Sequence, residues 1–210
     1  MTKRQLAEIV IERLEKEYPD SDCTLDYDEA WKLLVSVRLA AQCTDERVNR
    51  IVPFLFERYP DPLALSQADP ADVEEIVKPC GLGRSKARDI CACMKMLVTE
   101  YDGRVPDTME ELLKLPGVGR KSANLVLGDV FGKPAIVVDT HCIRLSNRIG
   151  LVSNEKDPVK IEMALKKIVP PEEGAGLCHR LVDHGRAVCS ARKAPDCDNC
   201  CLIDVCKRNI

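Results

Sequence analysis

Thirteen residues from Leu115 to Leu127, LPGVGRKSANLVL, constrain the fold more than any other stretch of the chain. Leu115 closes one run of helically spaced apolar residues. Pro116, Gly117 and Gly119 then make a turn too short to be a linker. Arg120 opens a second helical run that carries Ala123, Leu125, Val126 and Leu127. The stretch therefore predicts a helix, a glycine-rich hairpin and a second helix in immediate succession. Gly117 and Gly119 can adopt positive φ and carry no Cβ. Their N–H groups, and those opening the second helix, can approach an anion closely. Lys121 sits in the first turn of that helix, with Arg120 and the positive end of the helix beside its amine. Read alone, a Gly-x-Gly turn is equally an ordinary turn, and Lys121 an ordinary solvated lysine.

The flanking sequence is helical on both sides. Leu6, Ile9, Val10 and Leu14 recur at helical spacing over residues 3–18, and Pro19 stops the run. Asp28 can cap a helix carrying Trp31, Leu34, Val35 and Leu39. Thr44 or Asp45 caps another, with Pro53 expected to kink it. Residues 59–62 read as a linker. Asp69-Pro70 combines an N-cap with proline at the first helical position and opens a helix from Ala71 to Val77. Gly81-Leu82-Gly83 turns the chain into a helix from Arg84 to Glu100. Pro106 to Leu113 leads into the hairpin. Beyond it, Ala135 to Val138 is a short apolar stretch, and Asp139-Thr140 looks like a helix start. Further helices run from Pro158 to Ile168 and from Leu177 to Val188. No alternating strand pattern appears, so the fold class is all-α, with nine or ten helices.

The composition excludes several classes of function. Charges recur every few residues from the start, and no run reaches the roughly 20 apolar residues a membrane helix needs. Neither a signal peptide nor a membrane partner is expected, and an intracellular protein is. Net charge is −3, which taken globally counts against nucleic-acid binding. The basic residues are clustered, however: Arg84, Lys86 and Arg88; Arg120 and Lys121; Arg144 and Arg148. A local positive face on an acidic protein is expected.

Twelve cysteines in an intracellular chain argue for metal ligation or plain burial rather than for disulfides. Cys189, Cys197, Cys200 and Cys206 fall within 18 residues, with 7, 2 and 5 residues between them. That density supports one tetrathiolate site. Cys201 competes with Cys200 for membership, and zinc competes with an iron–sulfur cluster.

LPGVGRKSAN resembles the helix–hairpin–helix of the endonuclease III family of DNA glycosylases. The resemblance extends in colinear order to AAQCTDERVN (Ala40 to Asn49), GLGRSKA (Gly81 to Ala87), GKPAIVVDTHCIRLSNRIG (Gly132 to Gly150) and the four terminal cysteines. It implies a two-domain helix-hairpin-helix DNA glycosylase fold. Residues 24–131 would form a six-helix domain containing the hairpin. Residues 1–23 and 132–210 would form a discontinuous domain holding a [4Fe–4S] cluster, with DNA received in the cleft between the two. The family's cluster motif has one residue fewer between its first two cysteines. The polar, proline-containing loop here could absorb the addition.

The resemblance also implies the chemistry. Lys121 would be the amine nucleophile at the sugar C1′ of a damaged nucleotide, and Asp139 would assist as electrostatic partner or base. Asp139 is at the same time a natural helix N-cap, a role that would hold its carboxylate rigid. Gln42 and Leu82 would enter the duplex and fill the vacancy left by the extruded nucleotide. Their ordinary readings are a polar helix end and a core leucine. His141 would lie near a phosphate, and a cap-region histidine is its ordinary reading. Gly117 and Gly119 would grip the DNA backbone. The expected activity is that of a bifunctional DNA glycosylase and apurinic/apyrimidinic (AP) lyase for oxidised pyrimidines. Its partner would be double-stranded DNA with a damaged base or abasic site, and it would work as a cytoplasmic, nucleoid-associated monomer. Alternatives are a mismatch-specific glycosylase for adenine or thymine, whose members generally lack a lysine at the position of Lys121, and a non-catalytic helix–hairpin–helix DNA-binding protein.

Overall fold

Capping chemistry sets most of the helix starts. In the computed structural model, which describes residues 1–208, Thr2 caps helix α1 (Lys3–Glu17) in a reciprocal box with Gln5. There follow α2 (Ala30–Ala40), α3 (Asp45–Arg58), α4 (Pro62–Ser66), α5 (Pro70–Val77), α6 (Gly83–Glu100), α7 (Met109–Leu112), α8 (Arg120–Asp129), α9 (Thr140–Ile149), α10 (Pro158–Leu165) and α11 (Gly174–Ala187). Side chains of Thr44, Asp61, Asp69, Thr108, Asp139 and Asp157 accept the first amides of α3, α4, α5, α7, α9 and α10. The described residues contain no strand.

Three sequence expectations, on residues 59–62, on Asp28 and on residues 106–113, are corrected. Asp61-Pro62 carries the same N-cap and proline signature as Asp69-Pro70, so the expected linker closes into α4. Glu29, not Asp28, occupies the N-cap of α2 and makes no side-chain cap bond. Asp28 instead pairs with Lys32 one turn on, at 2.7 Å. Pro53 lies inside α3 without ending it. The helix leading into the hairpin is only the four residues of α7, because Thr108 caps it late.

The chain divides into two compact units, residues 23–131 and residues 1–22 with 132–210. In the first, α4 and α5 lie against α6, while α2 touches α3, α6 and α8. Its core is aliphatic, with Leu33, Leu39, Val48, Leu55, Leu65, Val77, Ile90, Met94, Leu97 and Leu112 almost fully buried. Burial on this scale is worth about 1.5–3 kcal/mol per side chain. In the second unit, α11 packs on α9 and α1, and Leu177, Leu181, Leu145, Val10 and Leu14 on these helices are fully buried. None of the described helices is long and apolar enough to cross a membrane.

Candidate active site

The hairpin between α7 and α8 is anchored by the burial of Leu112, Leu115, Ala123 and Val126. The Val118 N–H donates to Leu115 O at 3.1 Å and closes the turn. Gly117 has φ +76°, and a Cβ there would come within 2.9 Å of Arg38 Cδ and 3.0 Å of Asp89 Cβ. Both its conformation and its closeness to that ion pair require glycine. Arg38 is itself fixed by Asp89, with Nε at 3.0 Å and a terminal nitrogen at 2.6 Å from one carboxylate oxygen. Gly119 differs from the expectation. Its φ is −99° and the space around it is open. As the N-cap of α8 it has no side chain to offer the first amides of that helix. Lys121 follows in the first turn of α8, with an exposed side chain that forms no ion pair among the described residues.

Asp139 caps α9, its Oδ1 accepting the Cys142 N–H at 2.7 Å. The preceding residues Ala135 to Val138 are buried, and the Val137 N–H donates to Cys178 Sγ at 3.2 Å. The carboxylate is thus held from behind by an apolar segment and from ahead by a helix start. His141 is the second residue of α9. Its Nδ1 lies 3.2 Å from Arg144, and a Cβ on Gly185 would come within 2.4 Å of it. Its ring is half-buried against α11 rather than projecting as a free cap residue. Lys121 belongs to the 23–131 unit, and Asp139 and His141 to the other.

Gln42 and Leu82 share an uncommon backbone. Both are non-glycine residues with positive φ, +57° and +52°. Both are exposed, Leu82 by 57%, so neither is a core side chain. Gln42 lies in the turn between α2 and α3, and Leu82 is the N-cap of α6. The expected positive face is smaller than the sequence suggests. Arg84 and Arg88 are exposed, but Lys86 is fully buried. Its Nζ donates to Leu39 O and to Cys80 O, both at 2.8 Å. Burial lowers its pKa.

Arg144 and Arg148 are also diverted from that face. Arg144 donates to Gly185 O and Cys189 O at 3.2 and 3.1 Å, and burial followed by the like charge of Arg148 lowers its pKa. Arg148 donates to Ser190 O at 2.9 Å and to Cys189 Sγ at 3.4 Å. Sequence spacing exposed neither role, because a guanidinium that clamps carbonyls and one that waits for phosphate share the same code.

Cys189, Cys197, Cys200 and Cys206 line one cavity with Arg148, His184 and Leu202, enclosing about 450 Å³ including open solvent. Cys201 is not part of that wall. Its carbonyl instead accepts from Arg13 at 3.0 Å. The loop's base is closed by the Asp196 N–H donating to Val188 O at 3.1 Å, and residues 191–194 within it are exposed. Backbone amides of Leu202 and Arg208 donate to Cys200 Sγ and Cys206 Sγ, each at 3.4 Å. His184 stands behind the cavity, its Nε2 3.4 Å from Cys200 Sγ and its Nδ1 3.1 Å from the Tyr18 hydroxyl, whose pKa burial raises to about 12. Burial raises the Cys200 and Cys206 thiols, so a metal entering here would have to displace protons. No three His, Cys, Asp or Glu side chains among the described residues converge on a single-ion point.

Comparisons with known proteins show the family. A family model described as HhH-GPD superfamily base excision DNA repair protein matches residues 35–171, which defines the class. The chain is 47% identical over 206 residues to an Endonuclease III of Synechocystis sp., covering 98% of this chain and 93% of that one. It is 37% identical to the Endonuclease III of Escherichia coli, covering 99% and 97%. A solved structure of a trapped endonuclease III–DNA covalent intermediate superposes with a TM-score of 0.92 at 39% identity, covering 99% of this chain and 97% of that one. A thermostable thymine-DNA glycosylase at 23% identity, with a TM-score of 0.84, shares the fold. The chain therefore belongs to the endonuclease III family of the helix–hairpin–helix base excision repair superfamily.

Proposed function

We infer that the protein is a bifunctional DNA glycosylase and AP lyase of base excision repair, acting on damaged pyrimidines in duplex DNA. The observation that carries the reading is the exposed amine of Lys121 in the first turn of α8, directly after a glycine N-cap that leaves the helix amides to an outside acceptor. A DNA phosphate is the acceptor such a terminus suits. Gly117 and Gly119 serve that grip, and Lys121 is thereby aimed at the strand.

In the proposed reaction the Lys121 amine attacks C1′ of an extruded nucleotide. The N–C1′ bond forms, the bond from C1′ to the base breaks, and the base leaves with its electron pair and a proton. The amine loses its protons as the sugar opens to a Schiff base. Loss of a C2′ proton then expels the 3′ phosphate, and water hydrolyses the imine to return the free lysine. Asp139 supplies fixed negative charge for the developing sugar cation. A carboxylate already engaged by an amide needs little reorganisation to do so. Gln42 and Leu82 occupy the space the nucleotide leaves, and His141 supports the phosphate side.

Cys189, Cys197, Cys200 and Cys206 would hold a [4Fe–4S] cluster. The support is their sharing of one cavity wall, with amide donors aimed at two of the sulfurs. When bound, that group would supply a rigid cross-link rather than a reactive centre. It would fix the loop carrying the exposed Arg192 and Lys193 as further phosphate contacts. Affinity for DNA on an acidic protein then rests on local cations and should fall steeply with salt. The enzyme would work as a monomer at the nucleoid. Borohydride reduction in the presence of an abasic duplex tests the reading. A covalent protein–DNA product is expected, and a protein that binds the duplex without being trapped overturns the lyase assignment.

A further inference from the structure

The buried ammonium of Lys86 has no place in the chemistry above, yet it touches both turns that the reaction needs. Leu39, whose carbonyl it holds, lies three residues before Gln42. Cys80, the other acceptor, lies two before Leu82. The Lys86 backbone N–H also donates to Leu82 O at 3.0 Å. One residue therefore ties the end of α2, the end of the 3₁₀ turn Lys78–Cys80 and the start of α6.

The cost of this arrangement is large. A fully buried ammonium gives up its hydration, and carbonyl contacts repay that only when the geometry is fixed. The carbonyls it meets are helix-end acceptors without a following amide, the negative poles that favour a cation. Gln42 and Leu82 meanwhile hold left-handed conformations that are unfavourable for residues with a Cβ. Such conformations persist only where the surroundings over-determine them. The charge and the strained turns occur together, one cation between two turns.

We propose that Lys86 is a positioning residue for the DNA-opening step, setting the separation and orientation of Gln42 and Leu82 so that the two enter the duplex as one rigid wedge. The proposal rests on the wedge roles assigned to those residues above. It separates Lys86 from catalysis, since its amine faces protein carbonyls and never the sugar.

Single-turnover trapping on the same abasic site in duplex and in single-stranded DNA tests it, because a single strand has no vacancy to fill. Lys86→Met should trap duplex about 10- to 100-fold more slowly, the scale of a small misplacement, while single-strand trapping stays within about twofold. A 2-aminopurine placed opposite the abasic site should lose its binding-induced fluorescence change in the same variant. The double variant Gln42→Ala with Leu82→Ala should show the same duplex-specific loss, and adding Lys86→Met to it should cost little more. Equal loss on both substrates, or a loss that multiplies with the wedge variants, overturns the proposal. If Lys86→Met does not fold, Lys86→Gln, which keeps donors for only part of the bridge, takes its place with the same expectations. Wild-type protein that does not trap refutes the lyase reading. Wedge variants without a duplex defect refute the wedge assignment, and the Lys86 proposal falls with it. A duplex defect in the wedge variants but not in Lys86→Met refutes the Lys86 proposal alone.

Discussion

Between Leu112 and Leu127 the chain buries Leu112, Leu115, Ala123, Val126 and Leu127, whereas from Cys189 to Arg208 it buries only Leu202. The hairpin is a product of packing. Its turn needs one glycine at positive φ, and its two flanking helices carry enough apolar surface to hold it. The cysteine loop is instead hung from polar tethers: Arg144 on Cys189 O, Arg148 on Ser190 O, Arg13 on Cys201 O and the Lys207 N–H on Ile149 O. Each such bond contributes roughly 0.5–3 kcal/mol net, and ordering a residue costs about as much. The hairpin can therefore be specified by the chain alone. The cysteine segment has little packing of its own, and the proposed cluster would supply what packing does not.

The largest effect should come from a change that leaves the packed region intact. Lys121 is exposed, so Lys121→Ala should alter folding stability by no more than about 0.5 kcal/mol. Borohydride trapping should nevertheless drop by at least about 10³-fold, as expected when a nucleophile is removed. Residual trapping at the wild-type rate would assign the amine elsewhere.

Removing the proposed cluster by chelation, or weakening it with Cys197→Ser, divides the two regions directly. Amides between Cys189 and Arg208 should exchange with solvent about 100-fold faster or more, since metal binding there doubles as local folding energy. Amides of α8 should change no more than about threefold, because local opening of one segment need not reach another. Equal acceleration in α8 would mean that the cluster supports the whole molecule, and the contrast drawn above would fail.

The same contrast explains what the sequence discloses. Apolar spacing and Asp-Pro or Thr caps reveal their helices because each acts within a few residues of itself. Residues 59–62 show the limit: the cap signature was present, but a stretch with two prolines resembles a linker. Long-range polar ties leave no local mark. Lys86 reads as one more basic residue beside Arg84 and Arg88, yet its partners stand 47 and 6 positions away. Arg144 and Arg148 read as a positive face until the carbonyls of residues 185 to 190 are brought to them. The choice of Cys200 over Cys201 as a cavity-lining thiol likewise depends on which way a turn presents adjacent side chains.

Asp139 joins the two modes of construction, being both a cap and a proposed participant in the chemistry. Asp139→Ala should cost about 1 kcal/mol of stability through the lost N-cap, and Asp139→Asn only a few tenths, because asparagine caps equally well. Both should slow base release strongly. Measuring denaturant midpoints beside trapping rates for the pair separates the roles. If Asp139→Asn retains wild-type base release, the carboxylate acts only as a cap.

The smallest effect concerns Lys86, the one buried lysine or arginine among the described residues, and its sign is opposite to that of the thiols near it. Its folded pKa lies below the ordinary lysine value of 10.5, so below that folded value the native state carries the full cost of burying a charge. Between the folded and unfolded pKa values the unfolded chain holds more protons, and stability from this group rises with pH. The nearby thiols run the other way. Burial raises Cys80 and Cys91 from 9.0 to about 11 and Cys93 to about 12, so each withdraws stability as pH climbs above 9.0. The total stability should therefore fall in alkali and hide the lysine. The difference between wild type and Lys86→Met removes most of the thiol contribution, leaving only the coupling of Cys43 and Cys80 to the lysine charge. Urea midpoints measured as pH rises to the ordinary lysine value of 10.5 should move in favour of wild type relative to Lys86→Met. A difference that stays flat or moves toward the variant would mean that the ammonium is not paying a burial cost, and that this region is held by charge as much as by packing.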